Sequence, residues 1–133
     1  MNVIVDTDIW SRALRRTKNP DSNLIEKLTH LIDEGRVVML GPIRQEILSG
    51  IKEKNQFELL KRKLIEFPDH NITTMDYEKA AECYNTCRSK GIQGSNTDYL
   101  ICAVAINNNM SIYTLDKDFK LFSKLIPIKV EEK

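Results

Sequence analysis

Short apolar runs and longer helical stripes take turns along this chain, and that alternation constrains its fold more than any other feature. Five runs rich in β-branched residues read as strands: 2–6 (NVIVD), 36–40 (RVVML, closed by Gly41-Pro42), 71–74 (NITT), 111–115 (SIYTL) and 127–130 (PIKV). Between them, 21–34 carries Leu24, Ile25, Leu28, Leu31 and Ile32 on one stripe behind the possible caps Asp21 and Ser22, and stops at Gly35. Similar stripes run over 43–51, 55–66, 76–90 and 117–125. Residues 97–108 differ, because Tyr99 to Ile106 is apolar on every side and so predicts a helix buried centrally. Strands that alternate with helices imply an α/β fold, with a mostly parallel sheet and helices on both faces.

With 133 residues and 15.4 kDa, the chain is expected to form a single domain over 1–133. Its apolar fraction of 41% excludes a disordered chain. The longest apolar run, 100–106, is far short of the roughly 20 residues that cross a bilayer, so a soluble, cytoplasmic protein with no membrane partner is expected. Twenty Lys and Arg against 19 Asp and Glu give a net charge of +1, so any polyanion site must be local. Cys83, Cys87 and Cys102 read as reduced core thiols.

Functional groups in an open parallel sheet gather beyond the carboxyl ends of the strands, where strand order reverses. Acids occupy those places here. The first strand ends in Asp6-Thr7-Asp8, the second leads through Gly41-Pro42 into a helix bearing Glu46, the buried helix opens with Asn96-Thr97-Asp98, and the fourth strand runs into Thr114-Leu-Asp116-Lys-Asp118. Each acid has an ordinary structural reading as a helix cap, a first-turn charge or a solvated side chain. Taken together they form a cup of carboxylates, which must take up protons or hold a cation. Hard oxygen donors without a nearby His or Cys select Mg²⁺, with Mn²⁺ as a substitute. Arg12, Arg15, Arg16 and Lys18 form the densest basic segment; they read either as a solvated helix face or as contacts to a phosphate backbone, with Trp10 and Tyr99 as candidate stacking partners. Neither a phosphate-cradling glycine loop nor a serine or cysteine with a histidine at motif spacing is present.

The segments Val3-Ile-Val-Asp-Thr-Asp-Ile-Trp10, Glu46 early in its helix, Asp98-Tyr-Leu-Ile-Cys-Ala-Val-Ala105 and Tyr113-Thr-Leu-Asp-Lys-Asp-Phe119 closely resemble the PIN-domain family, most of all the VapC ribonuclease toxins of type II toxin–antitoxin systems. The resemblance implies a five-stranded parallel sheet in the order 3-2-1-4-5, a homodimer, an antitoxin partner of the VapB kind and Mg²⁺-dependent cleavage of RNA to 5′-phosphate and 3′-OH ends. By position, Asp6, Glu46, Asp98 and Asp116 match the family's acidic quartet, with Asp6, Asp98 and Asp116 as metal ligands. Thr7, Asn96, Thr114 and Asp118 fall in supporting positions. Many relatives have Ser or a small residue where this chain has Asp8, an extra acid with no assigned role. Two alternatives stand beside this expectation. One is a PIN-like module that binds RNA or protein without cutting; the other is a phosphatase of the haloacid-dehalogenase type, in which Asp6 of Asp6-Thr-Asp8 would be the nucleophile.

Overall fold

The structure, a computed structural model, describes residues 1–14 and 19–132. Three parallel strands form the sheet: β1 (Val3–Val5), β2 (Val37–Val38) and β3 (Ser111–Tyr113), in the order β2-β1-β3. Val3 and Ile4 pair with Val37 and Val38 on one side, while Val3, Ile4 and Val5 pair with Ser111, Ile112 and Tyr113 on the other. Successive strand side chains point to opposite faces, and Val3, Ile4 and Val5 are all fully buried, so the central strand is covered on both.

The five-stranded sheet expected from the sequence is not formed among the described residues. Single parallel bridges stand in place of its third and fifth strands, Met39 with Asp69, two residues ahead of the expected third strand, beside β2, and Ile112 with Val130, at the end of the expected fifth strand, beside β3. Local chemistry accounts for both. Thr73 is used as a helix N-cap, its hydroxyl accepting from the Asp76 N–H while the Asp76 carboxylate accepts from the Thr73 N–H, which turns 71–74 into a helix start. Pro127 lacks an N–H to give to a ladder, and only Ile112 and residues 129–131 exchange backbone hydrogen bonds.

Seven helices complete the described fold: α1 (Thr7–Leu14), α2 (Ser22–Asp33), α3 (Gly41–Leu48), α4 (Lys54–Leu64), α5 (Thr74–Ser89), α6 (Asn96–Asn108) and α7 (Asp118–Phe122). The last is much shorter than the expected 117–125. Tyr99 through Ala105 are all buried, as the apolar pattern predicted, and α6 packs against α5 and β3. Ser95 and Asp98 form a capping box that fixes where α6 begins, and Asn109 closes it in the left-handed conformation (φ 53°). None of the helices is long and apolar enough to cross a membrane. All three cysteines are free and buried.

Candidate active site

Asp6 links β1 to the first turn of α1 and is only 8% exposed. Its Oδ1 accepts the Thr7 N–H at 2.8 Å, and its Oδ2 accepts the Thr114 hydroxyl at 2.7 Å from the loop after β3. Burial pushes the carboxyl up to about 6; the Thr114 and Thr7 hydrogen bonds oppose this rise, and the negative charges of Asp8 and Asp98 add to it. Asp6 and Asp116 come from neighbouring strands because β1 and β3 pair in parallel and both chains leave the sheet at the same edge.

The turn after β3 is held largely by side chains. Asp116 N–H donates to Thr114 Oγ1 at 3.0 Å, Asp118 N–H donates to Asp116 Oδ1 at 2.9 Å, and Leu115 N–H donates to Asp8 Oδ2 at 3.0 Å. Glu46, exposed on α3, accepts the Thr7 hydroxyl on Oε1 at 2.7 Å. Asp98 Oδ2 accepts the Ser95 N–H at 3.2 Å. Burial raises the Asp98 carboxyl; its Ser95 partners pull it down, and the charges of Asp116 and Glu46 push it up. Asp8 is likewise raised by burial first and by the charge of Asp116, against the hydrogen bonds it receives.

Asp6, Asp98, Asp116 and Glu46 therefore act on one another electrostatically at one edge of the sheet, joined by Asp8. Thr7 and Thr114 are tied directly to this group. Asn96 is exposed at the start of α6 and makes no side-chain hydrogen bond to it, and Asp118 contributes only its backbone N–H, its own carboxylate lying in solvent. Trp10 and Tyr99 are buried, Trp10 edge-on to Phe67 at 5.0 Å and Tyr99 between Tyr84 and Phe122, so neither can stack on a base. Arg12 is exposed in the last turn of α1, while Arg15, Arg16 and Lys18 lie outside the described residues. Sequence reasoning left out a groove of about 630 Å³ that opens beside Glu46 between α1, α3 and α4, with Ser11, Gln56 and Lys63 among its polar lining. Its one local signal was the basic run Lys61-Arg62-Lys63 in the last turn of α4.

The donor chemistry of this edge fits a hard divalent cation. Among the described residues, Asp98 Oδ1, Asp116 Oδ2 and Glu46 Oε2 receive no hydrogen bond, and Asp8 Oδ1 is buried without one. Among the described residues no three Asp, Glu, His or Cys side chains converge on a single metal position. An ion such as Mg²⁺, which keeps several waters and takes one or two carboxylates directly, does not require such a cage.

A parallel α/β sheet with a buried Asp6 and further carboxylates at its carboxyl edge places these acids where open α/β sheets bind their ligands. The profile of the PIN domain matches residues 3–125, and the chain belongs to the PIN-domain family. It is 31% identical over 126 residues to VapC ribonuclease Mb1587 of Mycobacterium bovis, covering 92% of each protein. Among solved structures it is similar to VapBC2 of Rickettsia felis bound to a promoter DNA fragment (TM-score 0.79, 22% identity, 98% of each chain). It is similar also to FitAcB of Neisseria gonorrhoeae (TM-score 0.79, 17% identity, 98% of this chain and 96% of that one). These two share the fold. Membership in the family removes the phosphatase alternative.

Proposed function

We propose that this chain is a divalent-metal-dependent endoribonuclease, the toxin of a type II toxin–antitoxin pair, which hydrolyses RNA to 5′-phosphate and 3′-OH ends. The observation that carries the reading is the convergence of Asp6, Asp98, Asp116 and Glu46 from four separate elements on one sheet edge, with burial and mutual repulsion raising Asp6 to about 6. Folding alone gives no reason to gather that much like charge; a cation does. Its likeness to VapC ribonucleases supports RNA as the substrate, and similar solved structures described as a toxin–antitoxin complex and as a member of the VapBC family of toxin–antitoxin systems support a protein antitoxin as partner.

Asp6, Asp98 and Asp116 would hold Mg²⁺ or Mn²⁺, one or two of them directly and the rest through its waters. The bound ion supplies positive charge that offsets the charge developing on the attacked phosphate. Glu46, held through Oε1 by Thr7, would orient the attacking water through Oε2. Attack by that water expels the 3′-oxygen, so the downstream fragment keeps the phosphate on its 5′ end. Lys63, which lines the groove beside Glu46, and Arg12, exposed in the last turn of α1, would contact the phosphates of the entering strand.

Expression in a bacterial host tests the proposal. Growth should stop on induction, the RNA fragments that accumulate should carry 5′-phosphates, and neither should occur with Asp98→Asn at equal abundance. Equal toxicity of parent and variant, or fragments ending in 2′,3′-cyclic phosphates, would refute it.

A further inference from the structure

Asp8 lies two residues beyond Asp6, in the first turn of α1, and what its carboxylate touches defines what it does. Asp8 Oδ2 is 3.0 Å from the Leu115 nitrogen and 3.3 Å from Thr114 Oγ1. A hydroxyl has one proton to give. Thr114 Oγ1 lies closer to Asp6 Oδ2, at 2.7 Å, and gives it there. The bond by which Asp8 holds the turn after β3 is therefore the one from the Leu115 amide, 107 residues away in sequence.

That amide sits at a decisive place. The parallel ladder of β3 ends at Tyr113, so the N–H groups of Leu115 and Asp116 have no strand to donate to. Side chains take over: Asp8 receives Leu115, and Thr114, itself anchored on Asp6, receives Asp116. The Leu115–Asp8 and Thr114–Asp6 bonds tie the turn that presents Asp116 to the junction between β1 and α1, and a charge-assisted amide–carboxylate bond is the stronger kind.

From this arrangement we propose that Asp8 is a positioning residue for the cleavage reaction: by holding the Leu115 amide it fixes the turn that carries Asp116 and sets where Asp116 stands relative to Asp6. The part of this that concerns cleavage rests on the ribonuclease reading above; the latch itself does not. An asparagine at this position keeps an acceptor oxygen, whereas an alanine has none.

Two readouts on purified full-length protein test it. In protein stripped of metal with EDTA, hydrogen exchange of the Leu115 amide followed by NMR should speed up about 10-fold or more in Asp8→Ala and stay within a few-fold of the parent in Asp8→Asn. In saturating Mg²⁺, single-turnover cleavage of RNA should fall about 10- to 100-fold in Asp8→Ala, the usual range when a group that orients a metal-site residue is lost, and Asp8→Asn should recover most of it. Should Asp8→Ala fail to fold, Asp8→Leu, of similar size and without an acceptor, takes its place. Unchanged Leu115 exchange in Asp8→Ala overturns the latch. Unchanged cleavage, or equal loss in the Ala and Asn variants, overturns the positioning role. If the parent does not cleave, the ribonuclease reading fails, and the amide exchange still decides the latch.

Discussion

Burying a carboxylate raises the cost of its charge, and at Asp6 that cost is concentrated. Below about pH 4 the group is protonated in the folded and unfolded chain alike and imposes no penalty. Between about 4 and 6 the folded chain still holds the proton that the unfolded chain has released, so stability falls as pH rises; above about 6 the penalty is complete and level. A shift of about 2 units corresponds to about 3 kcal/mol at most. Asp6→Asn loses this penalty but turns an amide NH₂ toward one of the two donors that faced the carboxylate, a cost of about 1–2 kcal/mol. The metal-free variant should therefore be about 1–2 kcal/mol more stable than the parent at pH 7.5, with the advantage gone at pH 4. Urea melts in EDTA at both values check this, and a variant less stable than the parent at pH 7.5 contradicts it. Asp6, Asp98 and Asp116 were legible in the sequence because each follows a strand or opens a helix, and Glu46, in the second half of α3, through the strand that leads into its helix. The tie between Asp8 and Leu115 was not, since a bond spanning 107 residues leaves no local pattern.

Helix α6 shows how a single side chain serves fold and site together. Asp98 closes the capping box with Ser95 through Oδ2 while its charge is opposed by those of Asp116 and Glu46. Ser95→Ala removes the partner of the Asp98 N–H and should cost about 1 kcal/mol. Asp98→Asn keeps an acceptor for the Ser95 N–H and sheds a charge that its surroundings disfavour, so it should cost less than Ser95→Ala; a larger loss would make capping the main role of the charge. Gly94, just ahead, passes so close to the aromatic cluster that a Cβ there would lie 2.6 Å from Phe122 Cζ and 3.0 Å from Tyr99 Cζ. Gly94→Ala should accordingly lower stability by about 1–3 kcal/mol in the same melts, through displaced rings. The central helix and the three paired strands could be read from apolar patterning, which reports burial. The two outer strands were misread because an apolar run does not reveal that Thr73 is used as a cap or that Pro127 has no donor.

For the whole molecule, three paired strands are enough to bring Asp6, Glu46, Asp98 and Asp116 to one edge, although the sheet is narrower than the sequence implied. If that edge is built for a cation, Mg²⁺ or Mn²⁺ should raise the melting temperature of the parent and do so much less for Asp6→Asn, because a ligand that binds only the folded chain stabilises it in proportion to its affinity. Equal shifts in both proteins would place the ion elsewhere. The central claim, that these carboxylates cut RNA with the help of a divalent ion, is tested most directly by incubating the purified parent and Asp6→Asn with a defined single-stranded RNA in Mg²⁺ and in excess EDTA. The account predicts cleavage by the parent in Mg²⁺ alone, into fragments with 5′-phosphate and 3′-OH ends; cleavage that persists in EDTA or in Asp6→Asn would contradict it.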